Sequence, residues 1–269
     1  MSDSRFSVFA VVARRLLLAA LFAVVITPVA ADAKAKSQPA PAATYDVSYP
    51  QCGKTLPSSP TGGIVGVNGG VVFSANPCLG TEWSWALKGA SVAPAFYANT
   101  ADPGPAYSSH WPAGQTAPMA CDGSNSTACS YDYGWNAAKD SYADAAKVTA
   151  TPGAYTWWLD VETGNSWQTL ESAYGQTPTA RANDQAALAG AVAELKGAGV
   201  TRVGMYSTSY QWGQITGDTG TQFATAPVWV AGTGTQSTAI ANCSSTSFTG
   251  GPVMLTQYAQ SGYDADHWC

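Results

Sequence analysis

Tyr155-Thr156-Trp157-Trp158-Leu159-Asp160-Val161-Glu162 is the stretch on which the fold turns. Seven residues, Tyr155–Val161, are rich in aromatic and β-branched side chains and read as a strand that ends in acids. Similar short runs recur along the chain. Thr44–Ser48, Gly63–Val67 and Ser91–Tyr97 precede it, and Arg202–Tyr206, Pro227–Val230, Val253–Tyr258 and Tyr263–Trp268 follow. Helical spacing fills several of the gaps, at Leu79–Lys88, Tyr133–Val148 and Ala180–Gly197. The last of these is the clearest, with Ala187, Ala191, Val192 and Leu195 on one face and Gly197 and Gly199 as stops. Shorter helices are expected at Tyr210–Ile215 and Thr238–Asn242, and almost nothing separates the last two strands. Strands alternating with helices imply a parallel sheet. Eight of them over this length imply an α/β fold of the closed β/α-barrel type, with helices thinning toward the C-terminus. A doubly wound open sheet would carry a Gly-rich turn after its first strand, and Tyr45-Asp-Val-Ser-Tyr-Pro-Gln51 is nothing like one.

The ends of the chain add context. Arg5, Arg14 and Arg15 flank the apolar run Leu16–Ile26, and Val29-Ala30-Ala31-Asp32-Ala33 supplies small residues. Residues 1–33 therefore read as a secretory signal, cut after Ala33 or Ala31. The run is short for a membrane span. Residues 34–43 read as a flexible leader, and 44–269 as the barrel domain. The expected location is outside the cell or in its envelope. All six cysteines lie beyond the signal, and an even count in an exported chain implies disulfides. Order and spacing favour Cys52–Cys78, Cys121–Cys129 and Cys243–Cys269. A zinc site is the alternative, disfavoured because there is no Cys-x-x-Cys and only His110 and His267 are present. Neither metal nor cofactor is expected.

The net charge is −5 and no basic patch is visible, which argues against nucleic acid as a partner. The chain lacks the Gly-x-Ser-x-Gly of serine hydrolases and the Gly fingerprint of nicotinamide enzymes. Ten Trp and thirteen Tyr are available to fill a core or to stack on sugar rings. Two long insertions, Asn99–Tyr131 and Thr163–Thr179, follow the third and fourth strands. In a barrel they sit on the face where active sites are built. Their Trp111 and Trp167 are therefore candidates to line a cleft.

Residues two apart on a strand face the same way, so Asp160 and Glu162 point to one side. Two carboxyls held close among apolar neighbours cannot both ionise freely, and one is pushed toward its protonated form. Glycoside cleavage needs such a pair, one carboxyl to protonate the leaving oxygen and another to steady the positive transition state. Glu162, with one more methylene of reach, is expected to hold the raised pKa and act as donor. Asp46 lies within the first strand, and Asp264 and Asp266 in the last, which is its neighbour in a closed barrel. Acids from three strands could therefore meet at one mouth.

Asp46-Val47-Ser48, Leu159-Asp160-Val161-Glu162, Val203-Gly204-Met205-Tyr206, Val228-Trp229-Val230-Ala231 and Leu255-Thr256-Gln257-Tyr258, followed by a closing Asp strand, together resemble glycoside hydrolase family 25, the lysozyme-type muramidases, or a diverged actinobacterial-type relative. The resemblance covers most of the chain from Tyr45 on. It implies a β/α barrel, Glu162 as general acid, and Asp160 as support for an acetamido group or for developing charge. Asp46 and either Asp264 or Asp266 would complete an acidic cup. Tyr97, Tyr206, Trp229 and Gln257 become substrate-binding candidates beside Trp111 and Trp167. The chain departs from the pattern at the second strand, which ends in Val65-Gly66-Val67-Asn68-Gly69-Gly70 without Lys or acid. It departs again at the third, Phe96-Tyr97-Ala98-Asn99, which lacks His.

The expected function is that of a monomeric, secreted glycoside hydrolase acting on a cell-envelope polysaccharide, with the glycan strand of peptidoglycan as first substrate. A catalytically silent carbohydrate-binding barrel is the alternative. It would keep the aromatics without needing Glu162.

Overall fold

The computed structural model describes residues 43–58, 60–89, 91–217 and 221–269. The expected signal, and the leader up to Ala42, lie outside them. The eight expected strands are present: β1 (Thr44–Val47), β2 (Gly62–Gly66), β3 (Ala95–Asn99), β4 (Thr156–Asp160), β5 (Val203–Ser207), β6 (Val228–Val230), β7 (Val253–Gln260) and β8 (Tyr263–Trp268). They close in sequence order into a barrel. β1 to β7 run parallel to their neighbours, whereas β8 is antiparallel to both β7 and β1. The reason is local. Ser261 and Gly262 both have positive φ, 54° and 82°. That is the signature of a tight hairpin turn, which reverses the chain where a helix would have carried it back.

The crossovers are α1 (Leu79–Ala86), α2 (Thr127–Ala146), α3 (Pro178–Gly197), α4 (Ser209–Thr216) and α5 (Gln236–Asn242). The helices shorten toward the C-terminus as expected, and α2 begins six residues earlier than its apolar spacing suggested. Ser126 explains that start, because its side chain accepts from Cys129 N and caps the first turn. Thr177, Thr208 and Thr235 cap α3, α4 and α5 in the same way. The longest helices, α2 and α3, pack backbone to backbone. A Cβ on Gly134 would lie 1.9 Å from Ala187 O, and one on Gly190 would lie 2.0 Å from Tyr131 O. Only glycine permits that approach.

The core has two layers. Between barrel and helices, Trp83 stacks on Phe96 at 4.0 Å, with Tyr155 edge-on to Trp83 and Trp157 tilted against Phe96. Inside the barrel, Ile64, Ala95, Trp158, Trp229 and Leu255 form a separate plug. Trp158 fits there because its neighbour on β5 is Gly204, where a Cβ would lie 2.3 Å from the indole. Truncating such a buried Trp costs roughly 3–5 kcal/mol. The plug fills the lower barrel and leaves polar side chains at the upper, C-terminal ends of the strands.

Three disulfides join Cys52 to Cys78, Cys121 to Cys129 and Cys243 to Cys269, the pairing favoured by order and spacing. The first ties the turn after β1 to the start of α1. The second pins the insertion after β3 to the first turn of α2. The third holds the chain end to the end of α5.

Candidate active site

The inward side chains above the plug make an acidic cup. Asp160 ends β4 and is 6% exposed. Asn99, its partner in register on β3, donates its amide to Asp160 Oδ2 at 2.7 Å. The other oxygen, Oδ1, is buried with no hydrogen-bond partner among the described residues. Glu162 lies two residues beyond β4 in the turn that follows, not on the strand itself, and is half-buried. Its charge still acts on the Asp160 carboxyl. Burial, then the charge of Glu162, push the Asp160 carboxyl well above the usual carboxylate range. The buried member of the pair is thus Asp160, and its carboxyl is raised.

Glu162 is held from three sides. Gln211 of α4 donates to its Oε1 at 3.3 Å, and the same Gln211 accepts from Thr163 N at 2.6 Å. Trp167 donates its indole N–H to the Glu162 carbonyl at 2.9 Å. Asn165 N donates to that carbonyl at 3.0 Å, while its side chain donates to Asp160 O at 3.2 Å.

A second carboxyl pair stands across the mouth. Asp46 of β1 and Asp266 of β8 are both buried and within hydrogen-bonding reach of each other. Burial, then the charge of Asp264, raise Asp46 to about 7. Burial, then the charge of Asp46, raise Asp266 well above the usual range. Neither oxygen of Asp266 has a well-aligned hydrogen bond, and nor does the facing Trp229 indole N–H. Asp264 is opposite Asp46 in the β1–β8 register but is exposed at the rim. The choice between the two C-terminal acids therefore falls on Asp266 for the cup and on Asp264 for its edge.

Gln257 joins the sides. It donates to Asp46 Oδ2 at 3.1 Å and accepts from Tyr206 Oη at 2.8 Å and from Gly232 N at 3.1 Å. Those bonds settle which end of the amide is oxygen. Tyr206 packs on Trp229 with ring centroids 4.4 Å apart, and Tyr97 meets Trp229 edge-on at 6.3 Å. Burial and then nearby acids raise both phenols, so they remain O–H donors. Tyr97, Tyr206, Trp229 and Gln257 are thus gathered at one place.

The two loop tryptophans are not. Trp167 is 0% exposed, because its N–H has to reach the Glu162 carbonyl from below. It offers no face to a ligand, and its assignment as a stacking residue is corrected. Trp111 is half-buried and leans on Tyr133 at 5.5 Å. Asn99, Asn165 and Gln211 were missed. Each is an amide with no local pattern, and the only hint was that Asn99 lies two residues after Tyr97 on the same strand face. Among the described residues, no group of three or more His, Cys, Asp or Glu side chains is arranged to hold a metal ion. No helix there is long and apolar enough to cross a membrane.

No protein-family model matches the sequence, and no curated protein matches it significantly. Solved structures do match in fold. A family GH25 lysozyme from Aspergillus fumigatus superposes with a TM-score of 0.53 at 13% identity, covering 85% of this chain and 93% of that one. A muramidase from Trichobolus zukalii superposes with a TM-score of 0.50 at 18% identity, with the same coverage. At such identities the likeness speaks for the architecture: this chain has the α/β-barrel fold seen in GH25 lysozymes.

Proposed function

We propose that the chain is a secreted glycoside hydrolase that cleaves a cell-envelope polysaccharide, the glycan strand of peptidoglycan first, by carboxylate general acid catalysis. The Asp160–Glu162 pair carries this assignment. It sits at the strand ends of a barrel, one member buried with a free oxygen and the other half-exposed toward the mouth. Glu162, open toward the mouth, hands a proton to the leaving oxygen, and Asp160 is its buried neighbour. Asp160 then steadies the positive sugar. Asp46 and Asp266 face the pair from the far wall, while Tyr97 and the amide N–H of Gln257 present donors to ring substituents. The two similar barrels are described as a muramidase and a family GH25 lysozyme, which favours peptidoglycan among envelope glycans. Residues 1–33 act as the export signal, 34–43 as a leader and 44–269 as a monomeric catalytic domain. Three disulfides suit an oxidising compartment.

The test is Glu162→Gln assayed on purified peptidoglycan and on other envelope glycans. Turnover should fall by ~10²–10⁴-fold with glycan binding retained. Equal turnover by parent and variant on a substrate that the parent accepts would remove Glu162 from the role. A parent that binds glycans and cleaves none would favour the silent binding barrel.

A further inference from the structure

Two neighbours on α3, Asn183 and Asp184, lie outside the acid cup, yet both grip the loop that carries Glu162. They are buried, at 1% and 0% exposure. An acid on the packed face of a helix is costly unless other groups donate to it. Here three do. Asp184 Oδ1 accepts from Gln168 N at 3.0 Å, and its Oδ2 accepts from Thr169 N at 3.1 Å and Thr169 Oγ1 at 2.7 Å. Asn183 donates its amide to Gln168 Oε1 at 3.0 Å.

Gln168 and Thr169 belong to a single turn that begins at Trp167, whose carbonyl accepts from Leu170 N at 2.9 Å and from Glu171 N at 3.0 Å. The first N–H groups of such a turn have no partner within it. Asp184 supplies that partner from another element, and so caps the turn from outside. The near side is tied as well, because Ser166 O accepts from Asp102 N at 2.9 Å. Trp167 stands between these two anchors, with its indole N–H on the Glu162 carbonyl at 2.9 Å. The base is firm, since α3 meets α2 backbone to backbone at Gly134 and Gly190.

We infer that Asp184 is a positioning residue for Glu162: from α3 it caps the turn that starts at Trp167, and through the Trp167 indole it fixes where the acid stands in the mouth. The inference rests on the hydrolase reading for what Glu162 does, and deepens it. Misplacing a catalytic group by about 1 Å can cost ~10²-fold in rate, so a loosened turn should cost about tenfold.

Two readouts test this, and the first needs no substrate. Exchange of the Trp167 indole N–H with deuterium is followed by NMR. Asp184→Asn should speed it at least about tenfold, because an amide cannot offer an accepting oxygen to both Gln168 N and Thr169 N. The indole N–H of Trp157, bonded to Pro152 O at 3.1 Å at the opposite end of β4, should exchange as before. The second readout is steady-state kinetics on a glycan that the parent cleaves. Asp184→Asn should lower kcat about tenfold with KM within about twofold. Added to Trp167→Phe, which already lacks the bond, it should lower kcat by less than about twofold. Thr169→Val removes one of the three bonds and should move both readouts the same way by a smaller factor, which keeps the test open if Asp184→Asn does not fold. Unchanged Trp167 exchange, equal acceleration at Trp157, or a full tenfold loss in the Trp167→Phe background would each overturn the inference and leave the hydrolase reading intact. A parent that cleaves no glycan while Trp167 exchange responds as expected would overturn the hydrolase reading, and with it the catalytic role of Asp184.

Discussion

The indole N–H of Trp167 meets the backbone carbonyl of Glu162 at 2.9 Å, and the whole indole is buried beneath the turn that carries the acid. Trp167 is therefore a strut under Glu162. Trp167→Phe keeps most of the apolar bulk and removes the bond, which costs about 1–2 kcal/mol. Urea unfolding should show that loss. Steady-state kinetics should show kcat reduced by roughly tenfold with KM little changed. A rise in KM at constant kcat would mean that the indole touches substrate after all.

The Asp160 carboxyl is pushed well above the usual carboxylate range by burial and then by the charge of Glu162. Asp160 therefore keeps its proton to higher pH than an isolated carboxyl would. Asp160→Asn removes that carboxyl while leaving an oxygen to accept from Asn99. The alkaline limb of the kcat/KM profile should move to lower pH, with a lower plateau. An unmoved limb would separate Asp160 from the titration.

Behind the site lies another buried network. Asp184 of α3 accepts from Gln168 N at 3.0 Å and from Thr169 Oγ1 at 2.7 Å, and Gln168 donates to Asp102 at 3.0 Å and to Ser130 at 3.3 Å. Burial, and for Asp184 the charge of Asp102, raise Asp102 to about 7 and Asp184 to about 9. Asp46 is raised to about 7 in the cup. A raised carboxyl binds its proton more tightly folded than unfolded. Its contribution to stability is therefore complete below the unfolded pKa near 4, and is lost as pH rises through the folded values. Thermal melting should be highest near pH 4–5 and fall by roughly 5 °C or more by pH 9. Asp184→Asn should flatten the decline above pH 7. A melting temperature that rises across this range would contradict the burial of these acids.

Cys243–Cys269 closes a span of 26 residues and secures β8, which brings Asp264 and Asp266 to the mouth. Cys243→Ser with Cys269→Ser should cost about 3 kcal/mol by the chain-entropy account. Hydrogen exchange should rise first in β8. Uniform exchange across β1, β7 and β8 at unchanged stability would show that the hairpin pairing alone holds the strand.

Much of this arrangement is written locally. Tyr155–Val161 and its seven counterparts are strands because β-branched and aromatic residues cluster between turn residues. Asp46, Asp160 and the alternatives Asp264 and Asp266 were legible as candidate site acids because an ionisable group inside an apolar strand costs too much without a purpose or a partner. Glu162 was placed correctly beside Asp160, although the strand stops before it.

Other features left no mark of that kind. Trp111 and Trp167 are the same residue type in the same kind of loop, yet one leans half-buried on Tyr133 and the other is sealed under Glu162. Asn99, Asn165 and Gln211 acquire roles only because neighbouring strands and α4 bring them to the acids. Asp102 and Asp184 are read singly as loop and helix acids until α3 packs against the insertion. The sequence by itself determined the barrel and the candidate acids at its mouth, and it favoured the cysteine pairing, since periodicity, spacing and burial cost act over a few residues. Only the tertiary structure decided which carboxyl is desolvated, which tryptophan is buried and which amides hold the pair, because those depend on contacts between segments far apart in the chain.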